Sequence, residues 1–180
     1  VTRHSFSFGA HYDPGNISFG PVVAVNDERL EPGAGFDEHS HAGLVLVTYV
    51  VSGSLAHEGI VSSTVSAGQV AVLRAGTGVL HSERNVGKTE LRFVQTWISC
   101  LDDSVSYDVF DVGELAPVAT VRDARVLVGT LRAGSTVELS GHLTVVSGQV
   151  GELTEGDSLR ASRPVVLTAG TDAVLVAVTW

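Results

Sequence analysis

Apolar and polar residues alternate with a period of two through most of the chain. The stretches "LVLVTYVVSGSL" from Leu44 and "TVVSGQV" from Thr144 are dense in Val, Leu and Thr, which suit a pleated, half-buried surface. Gly, Ser, Asp and Asn punctuate the pattern at short intervals. Many short strands separated by such turns predict an all-β sandwich or barrel. "HSFSFG" from His4 alternates polar and aromatic residues as a half-buried strand does. "YDPGN" has the composition of a turn, and "PVVAVNDERL" predicts a further strand ending in an Asn-Asp turn. No segment sustains a helical i, i+3, i+4, i+7 stripe over three turns. Leu101 to Leu115 comes nearest, and its scattered charges predict a linker with a short helical turn.

A weak internal repeat runs through this pattern. "VVSG" occurs at Val50–Gly53 and again at Val145–Gly148. "LEPGAG" from Leu30 precedes the first copy, and "LRAGST" from Leu131 precedes the second. "AGQVAVL" from Ala67 and "EGDSLRA" from Glu155 follow them. The shared order predicts a duplicated β unit, one copy centred on residues 30–98 and one on 124–180.

Bulk properties then narrow the partners. The chain has 180 residues, 44% hydrophobic and 17% charged, with a net charge of -9. That composition supports a sizeable core, and the acidic balance repels phosphate backbones and anionic lipid surfaces, so neither nucleic acid nor membrane is expected as a partner. No apolar run approaches the roughly 18 residues of a membrane span. "VTRHSFSFGA" lacks the apolar stretch of an export signal, and Cys100 is the only cysteine. Together these predict a protein of the reducing cytoplasm with a buried, inert thiol.

The candidate chemistry lies in two short motifs. On a strand, residues i and i+2 project from one face. His39 and His41 in "EHSH" therefore point the same way, and so do His81 and Glu83 in "HSER". Two strands presenting three imidazoles and a carboxylate can converge on one divalent transition metal. The plainer alternatives are that His39 and His41 form a surface pair, and that Glu83 pairs with Arg84 or Arg92. Both motifs follow glycine-rich turns in a stretch otherwise poor in histidine, which favours the joint metal site. Asp37 and Glu38 are expected in a solvated turn. His57 is expected in a structural hydrogen-bonding role, and His4 and His11 in packing or at the surface.

The blocks "RHSFSFG", "YDP", "PGAGFDEHSHAG", "TYVVSGSLAHEG" and "RAGTGVLHSE" resemble the pirin family of bicupins, its bacterial members in particular. The likeness is dense over residues 3–98 and loose beyond. It implies two jelly-roll-like β-barrels face to face: a metal-binding cupin barrel over 1–100, a linker over 101–123, and a barrel without metal ligands over 124–180. Its metal ligands fall on His39, His41, His81 and Glu83, the same four residues reached from spacing. Family members usually carry His-Pro-His-Arg-Gly-Phe-Glu where this chain has "HSHAGLV". Ser40, Ala42 and Val45 thus stand in place of a proline, an arginine and an acidic residue.

The resemblance also implies function. Some bacterial pirins resemble flavonol dioxygenases, so a quercetin-type dioxygenase inserting O2 into a small aromatic substrate is expected, with Glu83 both ligand and catalytic base. Iron is the first expectation for the metal, with nickel, copper, zinc or manganese as the other candidates. The competing expectation is a non-enzymatic, metal-containing regulator that binds a protein partner. An open pocket above Glu83 favours the enzyme, and a capped one favours the regulator.

Overall fold

The computed structural model describes residues 1–180, and strands and turns make up all of it. The expected all-β class holds. The chain divides into Val1–Asp111 and Val112–Trp180.

The first unit holds β1 (Thr2–His4), β2 (Val22–Leu30), β3 (Gly35–His41), β4 (Leu44–Ser52), β5 (Ser54–Glu58), β6 (Ser63–Ser66), β7 (Gln69–Ala75), β8 (Val79–Asn85), β9 (Leu91–Ser99) and β10 (Val105–Asp111). They form a six-stranded sheet in the order β1-β2-β9-β4-β7-β10 and a four-stranded sheet in the order β3-β8-β5-β6. All pairings within them are antiparallel. "GQVAVLRAGTGVLH" is therefore a corner between sheets, since β7 pairs with β4 and β10 whereas β8 pairs with β3 and β5.

Directly opposed residues share a face, so the register sorts the inner surface into layers. On the large sheet, Val50 and Phe93 form one apolar row and Leu46 and Trp97 another; Thr48 and Gln95 lie between them. On the small sheet, Leu55 lies opposite Asn85, His57 opposite Glu83, and His39 opposite His81. Val50, Leu55, Val65, Ala71, Leu91 and Phe93 pack into one apolar cluster drawn from both sheets. Leu46, Leu73, Ala75 and Val79 pack into a second. A polar layer carrying the histidines is thus enclosed between two apolar layers.

The second unit holds β11 (Ala116–Val121), β12 (Ala124–Leu131), β13 (Thr136–Ser147), β14 (Gln149–Val150), β15 (Leu153–Thr154), β16 (Ser158–Thr168) and β17 (Ala173–Thr179). A five-stranded sheet in the order β11-β12-β17-β13-β16 carries a core that includes Leu139, Leu143, Val145 and Leu175. The sequence repeat has a backbone counterpart. Gly33 and Gly134 have φ of 77° and 78°, Gly53 and Gly148 84° and 83°, and Gly68 and Gly156 82° and 88°. Each pair ends the matching segment in the left-handed region that glycine enters without steric penalty.

Three local expectations differ from the structure. The expected linker over 101–123 contains two strands. β10 runs antiparallel to β7, with Tyr107 and Val109 packed against the core and Asp108 and Asp111 exposed. "VSYDVFD" has the period of a strand: Tyr107 and Val109 share the inner face, Asp108 and Phe110 face outward, and Asp111 is exposed at the strand end. The Asn26–Asp27 pair does not turn the chain; β2 continues to Leu30. Asn26 is buried and bonded to His4, and Asp27 pairs with Arg92, so tertiary partners override turn propensity. "HSFSFG" is strand only at His4, beyond which the chain turns.

Candidate metal centre

His39, His41, His81 and Glu83 share one surface by alternation, because His39 lies opposite His81; bringing Phe36 beside them requires an irregularity that strict alternation does not supply. Phe36 pairs with Glu83 and His39 with His81, so β3 spends one residue more than β8 between these points. This β-bulge at Asp37 and Glu38 keeps both Phe36 and His39 on the inner face. Asp37 and Glu38 are exposed, as expected, although they lie within a strand and not a turn.

The three histidines converge. Ring centroids are 4.4 Å apart for His39 and His81, 4.9 Å for His39 and His41, and 5.0 Å for His41 and His81. One ligand atom from each lies within 4.8 Å of the others. Glu83 belongs to a second such group, with His57 and His81. The four expected residues therefore do not form a single group: His39, His41 and His81 make one triad, Glu83 joins His81 in a second, and the third member of that second triad, His57, is one that spacing alone had left as a hydrogen-bonding residue.

Hydrogen bonds set the presentation of the rings. His39 Nδ1 lies 2.7 Å from the Asp37 carbonyl oxygen. A carbonyl only accepts, so the proton sits on Nδ1 and the lone pair on Nε2, the tautomer a metal ligand needs. His81 Nδ1 lies 3.3 Å from His57 Nδ1, and His57 stacks on Tyr107 at 4.0 Å. A partner on one ring nitrogen of a ligating histidine fixes its orientation. Burial, followed by the neighbouring His39, lowers the pKa of His41 to about 4. Burial, followed by His39, His57 and His41, lowers that of His81 to about 3. Both rings are neutral donors at physiological pH. Burial also lowers the pKa of His57.

Neither arginine claims Glu83. Arg84 pairs with Asp37 at 2.7 Å and donates to the Gly33 carbonyl, and Arg92 pairs with Asp27 at 2.8 Å. The Glu83 carboxylate instead accepts from Gln95 Nε2 at 3.0 and 3.2 Å. Gln95 is held in turn by the Trp97 indole N–H, which donates to its Oε1 at 2.7 Å. Burial raises the Glu83 carboxyl to about 7, against the lowering effect of the Gln95 hydrogen bond.

The donor set fits a metal ion. His41 Nε2 and His81 Nε2 are buried without a hydrogen-bond partner, a costly state for an imidazole nitrogen that metal coordination would relieve. A cavity of about 160 Å³ opens beside His39 and Glu83, and Phe8, Asn26, Glu28, Phe36, Gln95 and Trp97 complete its lining. Ala42 is exposed and Val45 fully buried in β4, and neither lines it. Asn26, Glu28, Gln95 and Trp97 come from strands remote in sequence from the histidine motifs, and the β2–β9 register places them there. In the second unit His142 is buried opposite Arg160, with no second histidine on that segment. Cys100 is buried and free, and no helix is long and apolar enough to cross a membrane.

Comparison with known proteins identifies the family and the fold. The pirin family profile matches residues 1–98. A Mycobacterium tuberculosis protein provisionally named a quercetin 2,3-dioxygenase is 35% identical over 88% of this chain and 78% of its own. A pirin-like protein of Caulobacter vibrioides is 31% identical over 98% of this chain and 90% of its own. The solved structure of the bacterial pirin YhhW from Escherichia coli, in complex with nickel(II), superposes with a TM-score of 0.87 at 25% identity. It covers 99% of this chain and 90% of that one. With the three-histidine cluster, the duplicated glycine turns and the family match all falling on one all-β chain, the protein belongs to the pirin family of bicupins.

Proposed function

We propose that this protein is a metal-dependent dioxygenase that inserts both atoms of O2 into a small hydroxylated aromatic substrate. The observation that carries the reading is the cavity beside His39 and Glu83: it is open to a ligand, and Phe8, Phe36 and Trp97 give it aromatic walls. A site kept only to hold a metal for a protein partner needs no such space.

His39, His41, His81 and Glu83 would hold the metal. Three imidazoles and a carboxylate accept iron, nickel, copper, zinc or manganese, and the Escherichia coli relative was solved with nickel(II). When bound, the metal acidifies a coordinated hydroxyl and provides an open coordination position. The protein's own groups do the rest. Trp97 and Phe36 orient the ring, and burial between apolar layers excludes bulk water. Glu83 receives the hydroxyl proton, and the Gln95 amide keeps that carboxylate in place. The deprotonated aromatic supplies the electrons that reduce O2, so no external reductant is required. The lone buried thiol suits a reducing cytoplasm.

The test is oxygen consumption by protein loaded in turn with iron, nickel, copper and manganese, against quercetin and a set of simple phenols. Uptake with at least one pair, and both labelled atoms from 18O2 in the product, is the expected result. No uptake with any pair overturns the reading and leaves the metal-containing regulator in its place.

A further inference from the structure

The cavity is smaller than the substrate named for the family's dioxygenases. Its volume is about 160 Å³; an apolar cavity of roughly 150 Å³ holds one benzene. A flavonol has three rings, and its reactive 3-hydroxyl lies on the central one. With that hydroxyl at the histidines, the central ring would fill the cavity and the other two rings would have to extend through its opening. One ring fits within the cavity, and a flavonol does not fit within it as a whole.

The walls specify more than size. Phe8, Phe36 and Trp97 enclose the ring, with Trp97 set edge-on to Phe8 at 5.3 Å. His39 and Glu83 line the cavity from the small sheet, while Asn26 and Glu28 line it from β2 of the large sheet. The dioxygenase reading gives Glu28 no task, yet it is only 5% exposed. The Thr2 hydroxyl donates to its Oε2, and His4 bonds Asn26 Oδ1 at 2.9 Å, so both residues are held in place. Burial raises the Glu28 pKa, so its carboxyl group gains from a hydrogen-bond donor. A ring bearing a carboxylate would meet both Glu28 and Glu83, in a chain of net charge -9.

We propose that the cavity takes a single, uncharged dihydroxybenzene ring, one hydroxyl toward His39 and Glu83 and the second donating to Glu28. Glu28 is then the residue that determines specificity. The proposal rests on the site reading above for the placement of the first hydroxyl only.

The test is binding, read from Trp97 fluorescence in metal-loaded Trp180→Phe protein, with phenol, catechol, resorcinol, hydroquinone, salicylate and quercetin as probes. Resorcinol and hydroquinone cannot chelate a metal through adjacent hydroxyls, so a preference for either over phenol reports the second contact. One of them is expected to bind about tenfold tighter than phenol, the worth of one hydrogen bond to a charged group. Salicylate and quercetin should bind more weakly than that isomer. Glu28→Ala should erase the preference of that isomer over phenol; Glu28→Gln, which retains an acceptor for Thr2, should reduce it. Quercetin binding as tightly as the best diol overturns the proposal, as does a preference confined to catechol or one that survives in Glu28→Ala. Diol selectivity without oxygen uptake would overturn the dioxygenase reading alone. Oxygen uptake with quercetin preferred would overturn this inference alone.

Discussion

His39 and His81 are direct partners across β3 and β8, with ring centroids 4.4 Å apart. Each reaches that position differently. His39 is held by a carbonyl within its own bulge, and His81 by the imidazole of His57. The first device is local to β3. The second depends on the pairing of β5 with β8, so the two ligands respond to different substitutions.

Removal of either ring should abolish metal retention. In His39→Ala or His81→Ala, metal per chain by elemental mass spectrometry should fall from about one to under about a tenth, because one of four positioned donors is lost and the strands hold the remaining three in a geometry set for the full group. Retention at the wild-type level in both variants would sink the assignment.

His57 acts through His81. His57→Phe preserves the stack on Tyr107 and removes the Nδ1 partner. Affinity for nickel or zinc, measured by chelator competition, should weaken about 10- to 100-fold, the usual cost of losing an outer partner of a ligating histidine. The thermal midpoint should change little. Unchanged affinity would mean that His81 is oriented by strand packing alone.

Much of this site was legible in the sequence, and what was not has a common cause. Alternation within a strand is local, so His39 with His41, and His81 with Glu83, could be assigned to shared faces from spacing. The turn glycines were equally legible, since their backbone conformation is a property of the residue itself. Register between strands is not local. Nothing near Asp37 announces the bulge that keeps Phe36 beside His39, and nothing near His57 states that β5 will pair with β8. Glu28 and Asn26 reach the cavity only because β2 pairs with β9. The Asn26–Asp27 dipeptide carried a turn signal that its tertiary partners overrode.

Asp27 and Arg92 form a bidentate pair, with 3.0 Å from Nε to Oδ1 and 2.8 Å from Nη2 to Oδ2. Their side chains are only 12% and 6% exposed. Asp27→Ala removes the carboxylate and leaves the guanidinium in a nearly dry site. Stability to urea should fall by about 3 kcal/mol, the low end for breaking a buried pair. Restoring an apolar environment with Asp27→Val and Arg92→Leu together should recover most of that loss. Failure of the double variant to recover would show that Arg92 serves another contact as well.

His142 gives the second unit its own pH dependence. It is buried in β13, opposite Arg160 of β16. Burial, followed by the Arg160 charge, lowers its pKa from 6.5 to about 4. The unfolded chain therefore binds a proton at this position below pH 6.5 while the folded chain does not until about pH 4. The associated stability is fully present above pH 6.5 and is lost as pH falls through that window. The full loss is about 3 kcal/mol, at 1.36 kcal/mol for each unit of pKa difference. Trp180 reports unfolding of this unit in a Trp97→Phe background. Its urea midpoint should fall between pH 7 and pH 4.5, and His142→Leu should flatten that slope. A slope unchanged in His142→Leu would assign the acid sensitivity of this unit to its carboxylates.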